Sequence, residues 1–152
     1  MVGRDRGGAT ILGWRETIAL PDFGLAGIAA KIDTGARTSA LHAVGIEPFE
    51  DGGRECVRFR IDLGRGHETA ICSARGFSKR RVTSSNGQTE ERLIVKAALQ
   101  IGENRFRTEF SLTDRSDMVY PVLIGRMALR GRFVVDPLHS YLQTAAPDRK
   151  TD

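Results

Sequence analysis

Asp33-Thr34-Gly35-Ala36 is the stretch of this 152-residue chain whose residue types and spacing could do chemistry. The apolar run Gly27-Ile28-Ala29-Ala30-Lys31-Ile32 leads into it. An Asp followed by a small hydroxyl residue and then Gly can leave a strand in a tight turn, its carboxylate projecting and its backbone open to close approach. Such a carboxylate could activate water. Asp33, Thr34 and Gly35 are therefore the candidate catalytic residues. Asp and Gly are also ordinary turn residues, so what accompanies these three decides their meaning.

The elements that must position Asp33 read as strands, because the hydrophobic period is two. Val57, Phe59, Ile61 and Leu63 alternate with Arg58, Arg60 and Asp62, which predicts a strand with one buried and one wet face. Leu93, Val95, Ala97, Leu99 and Ile101 share one parity, Gly102-Glu103-Asn104 turns, and Phe106, Phe110 and Leu112 resume the alternation. That pattern predicts a long β-hairpin. Upstream, Trp14 to Leu20 runs into the turn Pro21-Asp22-Phe23-Gly24 and is expected to pair with the strand carrying Lys31-Ile32-Asp33. Arg37 to Ala43 is too short for periodicity to separate a strand from one helical turn. Downstream, Val122-Leu123-Ile124 reads as a short apolar strand ending at Gly125, Met127 to Arg130 as a brief helix, and Arg132 to Pro137 as a last strand.

Composition bounds the rest. With 40% hydrophobic and 28% charged residues, the chain can bury the core of one domain, expected over residues 10–143. Polar tails are expected at 1–9 and 144–152. There is no apolar run of membrane-spanning length and no apolar signal core, so a cytoplasmic protein without membrane contact is expected. Cys56 and Cys72 fit reduced packing residues rather than a disulfide framework. The net charge of +4 suits an acidic partner, with Arg75, Lys79, Arg80 and Arg81 as the densest patch. That patch lacks interleaved aromatics, so no nucleic-acid partner is expected.

The order of strand, Asp-Thr-Gly-Ala, long hairpin, apolar strand ending in Ile124-Gly125-Arg126, short helix and final strand resembles the retropepsin-like aspartic peptidases. The likeness is closer to a bacterial subgroup labelled ATP-dependent zinc proteases, found near ATP-grasp ligases that add glutamate to protein tails. It rests on Gly13-Trp14-Arg15-Glu16, on Ala30 through His42, on Arg81-Val82-Thr83-Ser84-Ser85-Asn86-Gly87, and on Leu123-Ile124-Gly125-Arg126 through Pro137. The resemblance implies an all-β, closed retropepsin-like barrel with one short helix after the Ile-Gly-Arg strand. It also implies that Ile124, Gly125 and Arg126 support the turn that carries Asp33.

Retropepsin chemistry needs two carboxylates, and this chain supplies one Asp-Thr-Gly. The resemblance therefore implies a homodimer in which Asp33 of each protomer gives half of a dyad and Thr34 locks the two turns together. Asp114, Asp117 and Asp136 are the intrachain alternatives for the second carboxylate. Ser84, Ser85, Asn86 and Gly87 form the tip of a hairpin that reads either as a substrate flap or as a surface turn. Arg37 stands where many retropepsins carry an acidic residue, next to Ala36 in the expected substrate site. Its guanidinium could hold a substrate carboxylate bidentately, which fits an acidic peptide or a glutamate-tailed protein. If it instead approached Asp33, it would favour the ionised carboxylate.

The implied function is hydrolysis of peptide bonds in such substrates. The alternative is a noncatalytic retropepsin-fold module that binds an acidic peptide or a glutamate ligase partner. No metal or other cofactor is expected. His42, His67 and His139 are scattered, neither His-Glu-x-x-His nor Cys-x-x-Cys occurs, and no Gly-x-x-x-x-Gly-Lys loop is present.

Overall fold

The computed structural model describes residues 8–63, 69–83, 86–114 and 119–147. Its strands are β1 (Thr10–Gly13), β2 (Arg15–Leu20), β3 (Leu25–Ile32), β4 (Ser39–Asp51), β5 (Arg54–Asp62), β6 (Thr69–Arg75), β7 (Ser78–Thr83), β8 (Thr89–Ile101), β9 (Asn104–Thr113), β10 (Val122–Ile124) and β11 (Phe133–Asp136). The short helix α1 (Arg126–Leu129) follows β10. This is the expected all-β, retropepsin-like arrangement with one brief helix after the Ile-Gly-Arg strand.

The sheet closes on itself. Its strand order is β10-β3-β2-β8-β9-β4-β5-β6, and β10 pairs with β4 as well as with β3, which completes a ring of six strands. Closure removes most edges, and β5 and β6 extend outward from β4 as a separate flap of sheet. Period-two residues fill the interior. Val57, Phe59 and Ile61 of β5, Val95, Ala97, Leu99 and Ile101 of β8, and Phe110 and Leu112 of β9 are buried in one core with Ile18, Ile28 and Leu41.

Two hairpins form as expected. β2 and β3 pair antiparallel with Arg15 opposite Lys31, and β8 and β9 pair from Ile94 opposite Ser111 to Ile101 opposite Asn104. The segment left open at Arg37 to Ala43 belongs largely to β4, one of the two longest strands. Ser39 to Ala43 are all buried, because β9 and β10 flank them, so no wet face shows in the sequence. At Gly45 the backbone takes φ 62°, a conformation open to glycine, and the register of β4 against β5 shifts there.

The ordered contacts run past the boundary expected at residue 143. Glu16 of β2 is 0% exposed, and its carboxylate accepts hydrogen bonds from the backbone N–H groups of Gly13 (2.7 Å), Leu142 (2.9 Å), Gln143 (3.1 Å) and Thr144 (3.0 Å). The Thr144 hydroxyl adds a fifth bond at 2.7 Å. A buried carboxylate is tolerated only when its lone pairs are satisfied in this way. The Thr17 hydroxyl then donates to the Ala145 carbonyl at 2.7 Å. Cys56 and Cys72 are free, buried thiols, and burial pushes the Cys72 thiol up to about 11.

Candidate active site

β3 ends at Ile32 and β4 begins at Ser39, so residues 33–38 form a loop between two strands that are not neighbours in the ring. β10 fills the gap, parallel to β3 and antiparallel to β4, with Ile124 level with Ile32 and Val122 level with Leu41. The loop is therefore stitched to the end of β10. The Asp33 N–H donates to the Ile124 carbonyl at 2.8 Å, while the Arg126 and Met127 N–H groups donate to the Ala36 and Arg37 carbonyls at 2.8 and 3.0 Å. The Gly125 N–H donates to Ser39 Oγ at 3.0 Å, and Arg126 Nη1 donates to the Thr34 carbonyl at 3.0 Å.

These bonds tie the loop that carries the Asp33 carboxylate to the end of β10. Its Oδ1 accepts the Gly35 N–H at 3.0 Å, and its Oδ2 has no partner among the described residues. That oxygen is open to water or substrate. Thr34 and Gly35 are exposed, and the Thr34 hydroxyl is likewise without a partner among the described residues.

Asp33, Gly35, Ala36 and Arg37 line a cleft of about 1170 Å³ whose other walls include Arg80 to Thr83 of β7, Tyr120 and Leu123. Its charge is lopsided. Lys31, Arg37, Arg80, Arg81, Arg92 and Arg126 face it, against Asp33 and Glu109 alone among its acidic residues. Arg80 is held by Glu109 and Arg92 by Glu90, whereas Lys31, Arg37 and Arg81 form no ion pair among the described residues. Arg37 thus does not pair with Asp33, and its charge acts on Glu109 instead.

Of the expected substrate residues, Ser84 and Ser85 lie outside the described residues. Asn86 and Gly87 belong to the β7–β8 turn, with Asn86 Oδ1 accepting the Gln88 N–H at 3.1 Å; among the described residues, Arg80 to Thr83 of β7 line the cleft and Asn86 and Gly87 do not. Ile124 and Gly125 are buried beneath the loop, and Arg126 is bonded to it through the Thr34 carbonyl.

The intrachain alternatives for a second carboxylate fare differently. Asp136 is engaged by His139 Nδ1 at 2.7 Å and by the Leu138 N–H at 2.8 Å, and neither Asp136 nor Asp114 lines the cleft. Asp117 lies outside the described residues. Glu109, which sequence reasoning missed, does face the cleft. The hydrogen bond from Arg80 holds its carboxyl below the usual carboxylate range, so it is poorly suited to donate a proton. It sits on the wet parity of β9 between Arg107 and Ser111, where nothing in the sequence distinguishes it from any solvated Glu.

His42 is buried in β4, and among the described residues no three His, Cys, Asp or Glu side chains gather as a metal set. No helix among the described residues is long and apolar enough to cross a membrane.

Residues 11–146 match the RimB-like family, described as retropepsin-like aspartic endopeptidase RimB. The chain belongs to this family. Among curated relatives, a probable alpha-L-glutamate ligase of Shewanella pealeana is 37% identical over 133 residues, which is 86% of this RimB-like chain and 29% of the relative. One from Desulfotalea psychrophila is 33% identical over 129 residues, covering 84% and 28%. The RimB-like chain spans under a third of the length of these relatives. A crystal structure of a Legionella pneumophila protein of unknown function superposes with a TM-score of 0.71 at 28% identity, covering 86% of this chain and 95% of that one.

Proposed function

We propose that this RimB-like domain hydrolyses peptide bonds in acidic or glutamate-modified protein substrates, using a dyad formed by Asp33 from each of two protomers. The observation that carries the reading is an Asp-Thr-Gly loop bonded to the end of β10, with one carboxylate oxygen open, facing a cleft whose cations outnumber its acids. A carboxylate-rich chain would be drawn into such a cleft, and Arg37 is the unpaired guanidinium nearest in sequence to Asp33.

The dyad reading is supported by the carboxylates that the described residues offer. Glu109 is ionised and tied to Arg80, and Asp136 is tied to His139, so neither supplies the acid that peptide cleavage needs. Two Asp33 carboxylates brought to about 3 Å would share one proton, because both cannot ionise together. The ionised member then deprotonates water while the protonated member donates to the carbonyl oxygen or the leaving amine. The unpartnered Thr34 hydroxyl is available for the lock between the two loops.

The relatives named as glutamate ligases carry a similar domain within a longer chain, which supports a ligase as the partner that makes or accompanies the substrate. The same relation favours the second reading, a noncatalytic module that holds an acidic peptide for such a ligase. Turnover decides between them. A peptide ending in several glutamates should be cleaved by the wild type and not by Asp33→Asn, with mass measurement showing a dimer under assay conditions. Binding of that peptide without any cleavage by the wild type would favour the module.

A further inference from the structure

The acidic residue that faces the cleft opposite so many cations is the unusual one. Glu109 of β9 meets Arg80 of β7 through two parallel bonds, Nη1 to Oε1 at 2.9 Å and Nη2 to Oε2 at 3.1 Å. This is the bidentate geometry by which a guanidinium recognises a carboxylate. Arg37 and Lys96 add their charge to the same group. The pair is not a buried structural bridge, since the side chains are 43% and 35% exposed.

Its position is as informative as its geometry. Glu109 lines the cleft that holds Asp33, and it also lines a second pocket of about 450 Å³ formed with Arg75, Phe77, Ser78 and Lys96. It therefore stands where two basic hollows meet. Neither Arg75 nor Lys96 has an ion-pair partner among the described residues. An acidic chain longer than one or two residues, lying in the first hollow, would reach the Arg80 guanidinium before entering the second.

Building on the proposed acidic-substrate reading, we infer that Glu109 is a resident stand-in for a substrate glutamate and that Arg80 is a specificity-determining residue. An incoming carboxylate takes the bidentate place of Glu109 on Arg80, and the second hollow with Arg75 and Lys96 receives the next acidic residues of the chain. Glu109 thereby sets a threshold. A single carboxylate gains little by exchanging one ion pair for another, whereas a run of carboxylates gains the additional cations behind it.

The test uses full-length protein and a fluorescent tetraglutamate-tailed peptide, with binding read by anisotropy in the Asp33→Asn background so that turnover is not required. Removing the internal competitor by Glu109→Gln should tighten tetraglutamate binding about two- to fivefold, the range set by an exposed ion pair. A peptide with one terminal glutamate should gain by the same factor, because both displace the same ion pair, which lifts the weaker ligand toward measurable binding. Arg80→Gln should weaken both peptides, and Arg75→Gln should weaken the long tail alone. Glu109→Gln that weakens both peptides equally would make the pair a structural tie and overturn the inference. Equal effects of Arg75→Gln on long and short tails would overturn the second hollow's role. Absence of wild-type cleavage alongside these binding shifts would instead count against the proposed hydrolysis and leave the recognition inference standing.

Discussion

Gly125 lies directly beneath Thr38, so close that a Cβ added to it would sit 2.7 Å from the Thr38 carbonyl carbon and 3.0 Å from the Ala36 oxygen. Its φ of −92° is open to any residue, so the requirement is for space. Gly125→Ala should force the Asp33 loop off β10 and cost about 1–3 kcal/mol. Denaturant unfolding measures the cost. Loss of peptide cleavage at a temperature where the variant remains folded would locate the damage in the loop.

Asp33→Asn keeps the acceptor for the Gly35 N–H and removes the charge. Cleavage of a glutamate-tailed peptide should fall by about a hundred- to ten-thousandfold in kcat, the range for loss of a positioned acid or base. Thermal stability should stay within about 0.5 kcal/mol of wild type. Unchanged kcat would remove Asp33 from the chemistry.

Glu16→Ala would strand four N–H donors, one buried and three half-buried, and one hydroxyl. At about 1–3 kcal/mol for each donor left dry, relieved by any water that enters, the net cost should be at least about 3 kcal/mol. Calorimetry reads this. Hydrogen exchange should show residues 142–144 released first, while the β8–β9 hairpin stays protected.

How much of this was legible in the sequence depended on which faces were wet. β5, parts of β8 and the first half of β9 alternate because solvent reaches one side there, and Asp-Thr-Gly with Ile-Gly-Arg marked the two segments that meet at the site. β4 was ambiguous because Ser39 to Ala43 are buried on both faces and include a serine and a histidine. Nothing in Arg15-Glu16-Thr17 marks Glu16 as buried, since all its partners but Gly13 arrive from more than 120 positions away. Glu109 was invisible for the same reason, its meaning being set by Arg80 on another strand.

The Arg80 and Glu109 pair should leave a pH signature. The folded-state pKa of Glu109 lies below its ordinary 4.5, so its contribution is fully present above 4.5 and is lost as pH falls through the lower folded value. Both side chains are substantially exposed, so that contribution is under about 1 kcal/mol. Unfolding curves of wild type and Glu109→Gln should differ at pH 6 and converge under strong acid. A gap that widened with acid would contradict the assignment.

Cys72 should be inert at neutral pH. Its thiol is 4% exposed and pushed up to about 11 by burial, leaving almost no thiolate to react. Labelling with a thiol reagent should proceed only as fast as the fold opens. Rapid labelling of native protein would show that β6 leaves β5 freely.

The carboxylate of Glu16 has a bearing on the order in which the chain can assemble. β2 precedes most of the barrel in sequence, yet three of the donors that replace water around its acidic side chain sit at Leu142, Gln143 and Thr144. Until those residues arrive, that carboxylate is better left hydrated, and the corner of the barrel around it stays ajar. Contacts so far apart in sequence close late and slowly. Residues 142–144 thus act as the keystone of a barrel whose strand β2 lies more than 120 positions before them.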